Sequence, residues 1–417
     1  MAEISEALID FNAWWKEEFK IEFKDRLIYE KIKKFISQKQ ILAFTGLRRV
    51  GKTTLMMKII EDSIKKGMDP KNILFFSFDE FREIEIKSII KEYERLMKKD
   101  IRKEKYIILF DEIQKLNDWE NQLKSIYDAY WKNLKIIISG SESLFIKRKS
   151  KETLAGRIFE FKIDLLSFKE FLIFKEVMFK PINIYEKELI KLFEEFILIQ
   201  GFPELVNIKE KEIIKKYIQE SIVEKIIYKD IPRLFKIKDI SILESILNLF
   251  MEDPGQLIEI SELSKELKIS RQSLSNYLNY LEKSFLIRKL YNFSRSKRKV
   301  ERKLKKYYPV IVSTDLLFKE DSLSKSKIFE WLIVNQLNAE FFWRDSYKNE
   351  VDVVIYNKEI IPIEIKYGKL DTKNLLVFMR KFNINNGYII SFEKEMKKKI
   401  NKKTVFIVPA FKFLLRR

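Results

Sequence analysis

Over the first third of the chain, short apolar runs alternate with stretches of helical period. Ile41 to Thr45 (ILAFT), Ile73 to Phe81 (ILFFSFDEF), Tyr106 to Phe110 (YIILF) and the run LKIIIS ending at Ser139 read as strands. Their near-continuous apolar character is that of strands covered on both faces. Behind the first run, Leu55, Met56, Ile59 and Ile60 recur at three- and four-residue spacing, the period of a helix with one buried face. Strand and helix thus alternate over residues 41–165, which predicts a parallel sheet taking ligands at the carboxyl ends of its strands. From Ser167 to Phe250 the pattern turns helical, with QGFPELV (residues 200–206) as a turn between helices. In residues 257–291, Ile260, Leu263 and Leu267 mark one helix, and Lys268-Ile269-Ser270 makes a tight turn. Leu274, Tyr277, Leu278 and Leu281 then form the inner face of a second helix. That is helix-turn-helix spacing, and the strand-like FLIRKLY behind it predicts a winged variant. The last stretch opens on a helix, SKIFEWLIVNQLNAE, followed by strands NEVDVVIY and IIPIEIKYG joined at Asn357-Lys358 into a hairpin. The expectation is an α/β protein in four parts: residues 1–165, a helical 166–250, a winged helix-turn-helix at 251–310, and a second α/β domain at 311–417.

Charge and composition narrow the chemistry. The formal net charge is +20 and the pI about 9.5, which favours a polyanionic partner, nucleic acid before an anionic membrane surface. Abundant Ile, Lys, Phe and Asn also fit the plain composition of an AT-rich genome. There is no Cys and no His, so disulfides, thiolate sites, His-based triads and imidazole metal sites are excluded. Any metal must be a hard ion held by carboxylates. Acids interrupt the opening MAEISEALIDFNAWWKEEF, unlike a signal peptide, and no apolar run approaches the roughly 20 residues of a membrane span. A cytoplasmic protein with no membrane partner is expected. Only nine glycines are present, so those that remain are expected where the backbone requires them.

Two of them frame the clearest motif. GLRRVGKT, residues 46–53, fits G-x-x-x-x-G-K-[ST] between a strand and a helix. Gly46 and Gly51 let the backbone curl so that the N–H groups of Leu47, Arg48, Arg49, Val50 and their neighbours point at phosphate oxygens, and the helix opening at Lys52, Thr53 and Thr54 adds its positive end. Lys52 reaches the β- and γ-phosphates of ATP, and the Thr53 hydroxyl ligates Mg²⁺. The acidic partner is IILFDEIQ: Asp111 holds the Mg²⁺ through water, and Glu112 acts as general base on the attacking water. Ser139, at the tip of the next strand, is placed to sense the γ-phosphate. Arg157, in LAGRIFEF, reads either as an arginine finger completing a neighbouring subunit's site in a homo-oligomer or as a surface arginine.

Residues 261–310 carry fourteen Lys/Arg against four Asp/Glu, whereas residues 1–165 carry 34 against 28. Half of the net excess therefore lies on the helix-turn-helix segment, which favours DNA binding over a spacer role. Arg271, Gln272, Ser273, Ser275 and Asn276 fall on the outer face of its second helix. The basic run RSKRKVERKLKK adds Arg298, Lys299, Arg302 and Lys303 as phosphate contacts. In the last stretch, the strands bring Asp352, Glu364 and Lys366 together, with Glu330 on the preceding helix. This D…ExK spacing is the motif of restriction-endonuclease-like domains: Glu330, Asp352 and Glu364 would hold Mg²⁺ or Mn²⁺ against a phosphodiester, with Lys366 positioning the water. The other reading is a salt-bridged surface hairpin.

The segments GLRRVGKTT, IILFDEIQ, IISGSES, LAGRIFEFKIDLLSFKEF, GFPE, YKDIPR, FFWRDSYKNEVDVV and IPIEIKYG, in this order, resemble a family of archaeal and bacterial AAA-type ATPases. The family's C-terminal domain of unknown function is related to PD-(D/E)XK nucleases. The resemblance implies an AAA+ core, a helical lid, a winged helix and a nuclease-like end. It carries nucleotide roles onto Lys52 and Thr53, the Mg²⁺ and base roles onto Asp111 and Glu112, a sensor onto Ser139, and a nuclease-like site onto Glu330, Asp352, Glu364 and Lys366. The text QGFPE and STDLLF departs from glycines common in the family, at packing positions. Two functions follow as expectations: an ATP-driven enzyme that processes duplex or branched DNA, or a nucleotide-gated DNA- or protein-binding switch whose nuclease fold is silent.

Overall fold

The computed structural model describes residues 2–81, 83–140, 152–296, 298, 300 and 304–416. They form two compact units, Met1–Leu165 and Leu166–Arg417.

In the first unit the apolar runs become β1 (Ile41–Thr45), β2 (Ile73–Ser77), β3 (Tyr106–Asp111), β4 (Leu134–Gly140) and β5 (Ile158–Lys162). They pair in the order β2-β3-β4-β1-β5, parallel throughout. Every residue of β1 and β3 is buried, as expected of strands covered on both faces. Helices α1 (Ala2–Phe11), α2 (Leu27–Lys33), α3 (Lys52–Lys65), α4 (Ile86–Met97) and α5 (Trp119–Tyr130) complete the unit. Its edge strand β2 is closed by side chains near the amino terminus. The Asn12 amide donates to the Phe75 carbonyl at 2.9 Å and accepts from the Phe75 N–H at 2.7 Å, and Trp14 and Trp15 both donate to the Ile73 carbonyl. An open edge of backbone donors and acceptors is thereby satisfied.

The second unit begins with helices α6 (Phe168–Phe174) and α7 (Glu186–Ile199). Ser167 caps α6, accepting from the Glu170 N–H at 3.2 Å while the Glu170 carboxylate reaches back to the Ser167 N–H at 2.9 Å. A long helical run follows: α8 (Lys211–Lys216), two π-type stretches (Tyr217–Val223 and Lys225–Asp230) and α9 (Ile231–Leu234). Next come α10 (Ile240–Glu252), α11 (Ile260–Glu266) and α12 (Arg271–Lys283), the last capped by Ser270. Strands β6 (Gln256–Ile258), β7 (Ile287–Asn292) and β8 (Lys305–Pro309) flank this helix pair. They do not form a sheet of their own. With β9 (Phe341–Arg344) and β10 (Glu350–Val351) they make one five-stranded sheet in the order β10-β9-β7-β8-β6, so residues on both sides of position 310 share a sheet.

A third sheet, β11-β12-β13-β15-β14, holds β11 (Val353–Tyr356), β12 (Ile360–Lys366), β13 (Asn386–Ser391), β14 (Met396–Ile400) and β15 (Lys403–Pro409). Helices α13 (Thr314–Leu317), α14 (Ser322–Gln336), α15 (Lys373–Lys381) and α16 (Ala410–Leu415) complete the unit. The expected hairpin is present as β11 against β12, antiparallel. NEVDVVIY is not one strand, however. The chain leaves one sheet at Val351 and enters the other at Val353, with Asp352 at the break. At the break the Asp352 carboxylate accepts from the Ile365 N–H of β12 at 2.7 Å, a side-chain bond to the neighbouring strand.

Candidate functional site

The loop between β1 and α3 sits at the carboxyl end of the first sheet. Gly46 has φ +144°, and a Cβ there would lie 2.2 Å from the Ile163 carbonyl oxygen, so only glycine fits. Gly51 has φ +92° and opens α3. Leu47 and Val50 are buried and anchor the loop, while Arg49 and the threonines Thr53 and Thr54 are exposed and Arg48 is half-buried. The Lys52 ammonium is buried and donates to the Gly46 and Leu47 carbonyls at 3.1 and 2.9 Å, at the centre of its own loop.

The strand register supplies the acids. Because Phe110 of β3 pairs with Ile138 of β4, Asp111 at the end of β3 comes beside Ser139, one residue before the end of β4. The Ser139 hydroxyl donates to one Asp111 oxygen, and the Thr53 hydroxyl donates to the other at 2.7 Å. Ser139 also accepts from the Glu112 N–H at 3.2 Å. Glu112 turns in the left-handed region, φ +54°, with its carboxylate bonded by the Gln114 amide at 2.7 Å and 3.7 Å from the Lys115 ammonium. Burial pushes the Glu112 carboxyl above its ordinary range, against the pull of Lys52. Lys115 itself pairs with Asp79.

One clamp had no motif to announce it. Arg26 is buried and donates to the Val50 carbonyl at 2.6 Å and to the Asp164 carbonyl at 2.8 Å, tying the loop to the residues after β5. An arginine before a short helix carries no such signal in sequence. Arg157 lies elsewhere: its carbonyl accepts from the Ile41 N–H at the amino end of β1, and its guanidinium pairs with Asp128 at 2.9 Å. It is therefore at the end of the sheet away from the loop of its own chain.

In the second unit, Arg271, Gln272, Ser275 and Asn276 are exposed on α12, with Gln272 bonded to Asn276 at 3.0 Å. Ser273 is partly buried and engaged with the Ser270 cap at 2.9 Å. Arg298 is exposed; Lys299, Arg302 and Lys303 lie outside the described residues. The last lysine of that basic run departs from the expectation of a solvent-facing patch. Lys306 is 6% exposed and turned inward. It donates to Glu330 at 3.2 Å, Glu350 at 2.6 Å and the Tyr308 hydroxyl at 3.3 Å. Tyr308 in turn donates to the same Glu330 oxygen at 2.5 Å, and Arg344 takes the other Glu350 oxygen at 2.7 Å.

Beside this group, Lys366 pairs with Glu364 at 2.7 Å, and the second Glu364 oxygen is buried without a hydrogen bond. Burial, then the charges of Glu330 and Glu364, raise the Asp352 carboxyl well above the usual range. Burial also raises Glu364, against the opposing pull of Lys366. Glu330 is held low: Lys306 and Tyr308 outweigh the upward push of burial. Glu330, Asp352, Glu364 and Lys366 are thus brought into one electrostatic cluster. Among the described residues, no group of three or more carboxylates is gathered so as to hold a metal ion. Nor is any described helix long and apolar enough to cross a membrane.

A five-stranded parallel sheet with this loop at the carboxyl end of its first strand defines a P-loop, AAA-type ATPase-like domain. Residues 38–172 match the AAA domain family, residues 190–310 a domain of unknown function (DUF8612), and residues 326–412 another (DUF4143). The uncharacterized protein MJ1637 of Methanocaldococcus jannaschii is 28% identical, across 88% of this chain and 84% of its own. MJ1544 of the same organism is 31% identical, across 82% of this chain and 78% of its own. The chain belongs to the same family as MJ1544. Among solved structures, AMPPCP-bound DnaA from Aquifex aeolicus is 17% identical with a TM-score of 0.29, over 63% of this chain and 89% of that one.

Proposed function

We propose that this protein is a Mg²⁺-dependent ATPase that binds DNA, with residues 46–54, Asp111, Glu112 and Ser139 as its nucleotide site. The observation that carries this reading is the hydrogen-bonded set Thr53–Asp111–Ser139 beside the Lys52 loop and the half-buried Glu112. The donor set fits the group: a hydroxyl and a carboxylate 2.7 Å apart are hard oxygen ligands, as Mg²⁺ requires. Bound there, Mg²⁺ would neutralise charge on the phosphates. Lys52 would exchange its carbonyl partners for phosphate oxygens, a stronger, charge-assisted bond. Glu112 would take a proton from the attacking water, and the upward push of burial on its carboxyl makes it a stronger base than an ordinary glutamate. Arg157, facing away from its own loop, would serve only a neighbouring subunit.

DNA binding rests on the exposed Arg271, Gln272, Asn276 and Arg298 and on the basic excess of residues 261–310. Two readings of the C-terminal cluster follow. In one, Glu330, Asp352, Glu364 and Lys366 form a metal-dependent nuclease-like site that processes the DNA. In the other, the fold is a silent platform and nucleotide state gates the grip on DNA. The ion pairs of Lys306 with Glu330 and Glu350 favour the second.

The test is ATP turnover with and without duplex, single-stranded and branched DNA, on the wild type, Lys52→Ala and Glu112→Gln. Lys52→Ala should lose nucleotide binding. Glu112→Gln should keep binding and lose on the order of 10²- to 10⁴-fold in turnover. Equal ATP affinity in both variants would defeat the assignment of Lys52.

A further inference from the structure

Four carboxylates, Glu330, Glu350, Asp352 and Glu364, are contributed by α14, β10, the break after it and β12, and carboxylates held together repel unless a cation compensates them. The structure assigns that cation: we propose that Lys306 is the resident positive charge of the cluster, so that Mg²⁺ or Mn²⁺ binds there only by displacing it. This rests on reading Glu330, Asp352 and Glu364 as a nuclease-like constellation.

The geometry is that of a filled coordination shell. An ammonium has three N–H donors, and those of Lys306 meet Glu330 at 3.2 Å, Glu350 at 2.6 Å and the Tyr308 hydroxyl at 3.3 Å. Each carboxylate has at least one oxygen committed, and the second Glu364 oxygen is buried without a hydrogen bond. Glu350 gives one oxygen to Lys306 and the other to Arg344 at 2.7 Å. One Glu330 oxygen serves both Lys306 and Tyr308, Asp352 holds the Ile365 N–H at 2.7 Å, and Glu364 holds Lys366 at 2.7 Å. With Lys306, Lys366 and Arg344 against four acids, charge is nearly balanced from within. A hard divalent ion asks for about six oxygens and gives up its water reluctantly. It would compete with a cation tethered to β8, whose effective concentration is set by the fold and not by the solution. A solvated basic face explains none of this, because Lys306 is buried.

The experiment is a Mn²⁺ titration of the full chain, read by electron paramagnetic resonance and by thermal unfolding, with Asp352→Asn as the reference that subtracts binding elsewhere. The wild type should bind Mn²⁺ at this cluster more weakly than about 1 mM. Lys306→Met, and the milder Lys306→Gln, should bind about tenfold more tightly or better, and Mn²⁺ should raise their Tm but not that of the wild type. Asp352→Asn added to either variant should remove the gain. A wild type that binds Mn²⁺ at micromolar concentration through Asp352, or folded Lys306 variants that gain nothing, would overturn the proposal. If neither variant folds, the wild-type titration decides alone by the same threshold. DNA cleavage, assayed in parallel, reports on the nuclease reading separately: tight Mn²⁺ binding by the wild type sinks this inference with or without cleavage, tighter binding by the Lys306 variants without cleavage supports this inference and not the nuclease reading, and cleavage activated in Lys306→Gln supports both.

Discussion

The phosphate-binding loop and the C-terminal carboxylate cluster use the same residue types to opposite effect. At the loop, Lys52 rests on two backbone carbonyls, and Asp111 accepts from two hydroxyls. Those hydrogen-bond partners are neutral, so a charged ligand can replace them at little cost, and the Glu112 carboxylate supplies only a longer-range attraction to Lys52. In the cluster, Lys306 and Lys366 are already matched to carboxylates. Extracting either would leave a buried charge unpaired, which is expensive. A lysine among acids is therefore a poor guide to ligand binding until its resting partners are known.

Backbone geometry offers the severest way to break the first of these sites. Gly46→Ala places a methyl 2.2 Å from the Ile163 oxygen at φ +144°. It should cost more than about 3 kcal/mol, seen as a fall in Tm together with failure to bind nucleotide. An alanine variant of wild-type stability would mean that the loop has room the structure does not show.

Exchanging each lysine for methionine sharpens the comparison. Lys306→Met should destabilise the fold by about 3 kcal/mol in urea unfolding, because Glu330 loses its cation. Lys52→Met should change stability by only about 1 kcal/mol, since it removes two bonds to carbonyls. Equal losses would erase the distinction between an open and a closed site.

A smaller effect tests the helix that carries Lys52. Glu61 is buried in α3 and paired with Lys58 at 2.6 Å and Lys65 at 2.8 Å. Burial pushes its carboxyl up, but the two ammonium groups prevail and hold it at about 2. A folded pKa below the unfolded one stabilises fully above about pH 4.5 and is lost as pH falls toward 2. The stability gap between wild type and Glu61→Gln should be about 1–3 kcal/mol at pH 7 and shrink steadily below pH 4.5. A gap that stays constant down to pH 3 would show that the pairs contribute packing alone.

The mildest change concerns DNA. Neutralising Arg298, Lys299, Arg302 and Lys303 together should lower the slope of log K against log salt by about 0.9 for each DNA phosphate that the variant no longer neutralises. Keeping Lys306 separate matters, since that residue faces the acids. An unaltered slope would leave the basic run as solvated surface.

What the sequence determined by itself is what neighbouring residues or simple periods encode. Strands β1 to β4 were legible because each is a short apolar run. Residues 46–53 were legible because their spacing and the glycine φ angles are local properties. The pairing of Glu364 with Lys366 follows from the two-residue repeat of a strand. Tertiary structure alone decided the rest. Arg26 reaches Val50 across 24 positions and Asp164 across 138, so no spacing rule announces the clamp. The break at Asp352 depends on which sheet each half of NEVDVVIY joins. Lys306 looked like the end of a basic surface run because composition reports charge and not direction. Strand pairing of β8 turned it inward, where its ammonium meets Glu330, Glu350 and the Tyr308 hydroxyl instead of water.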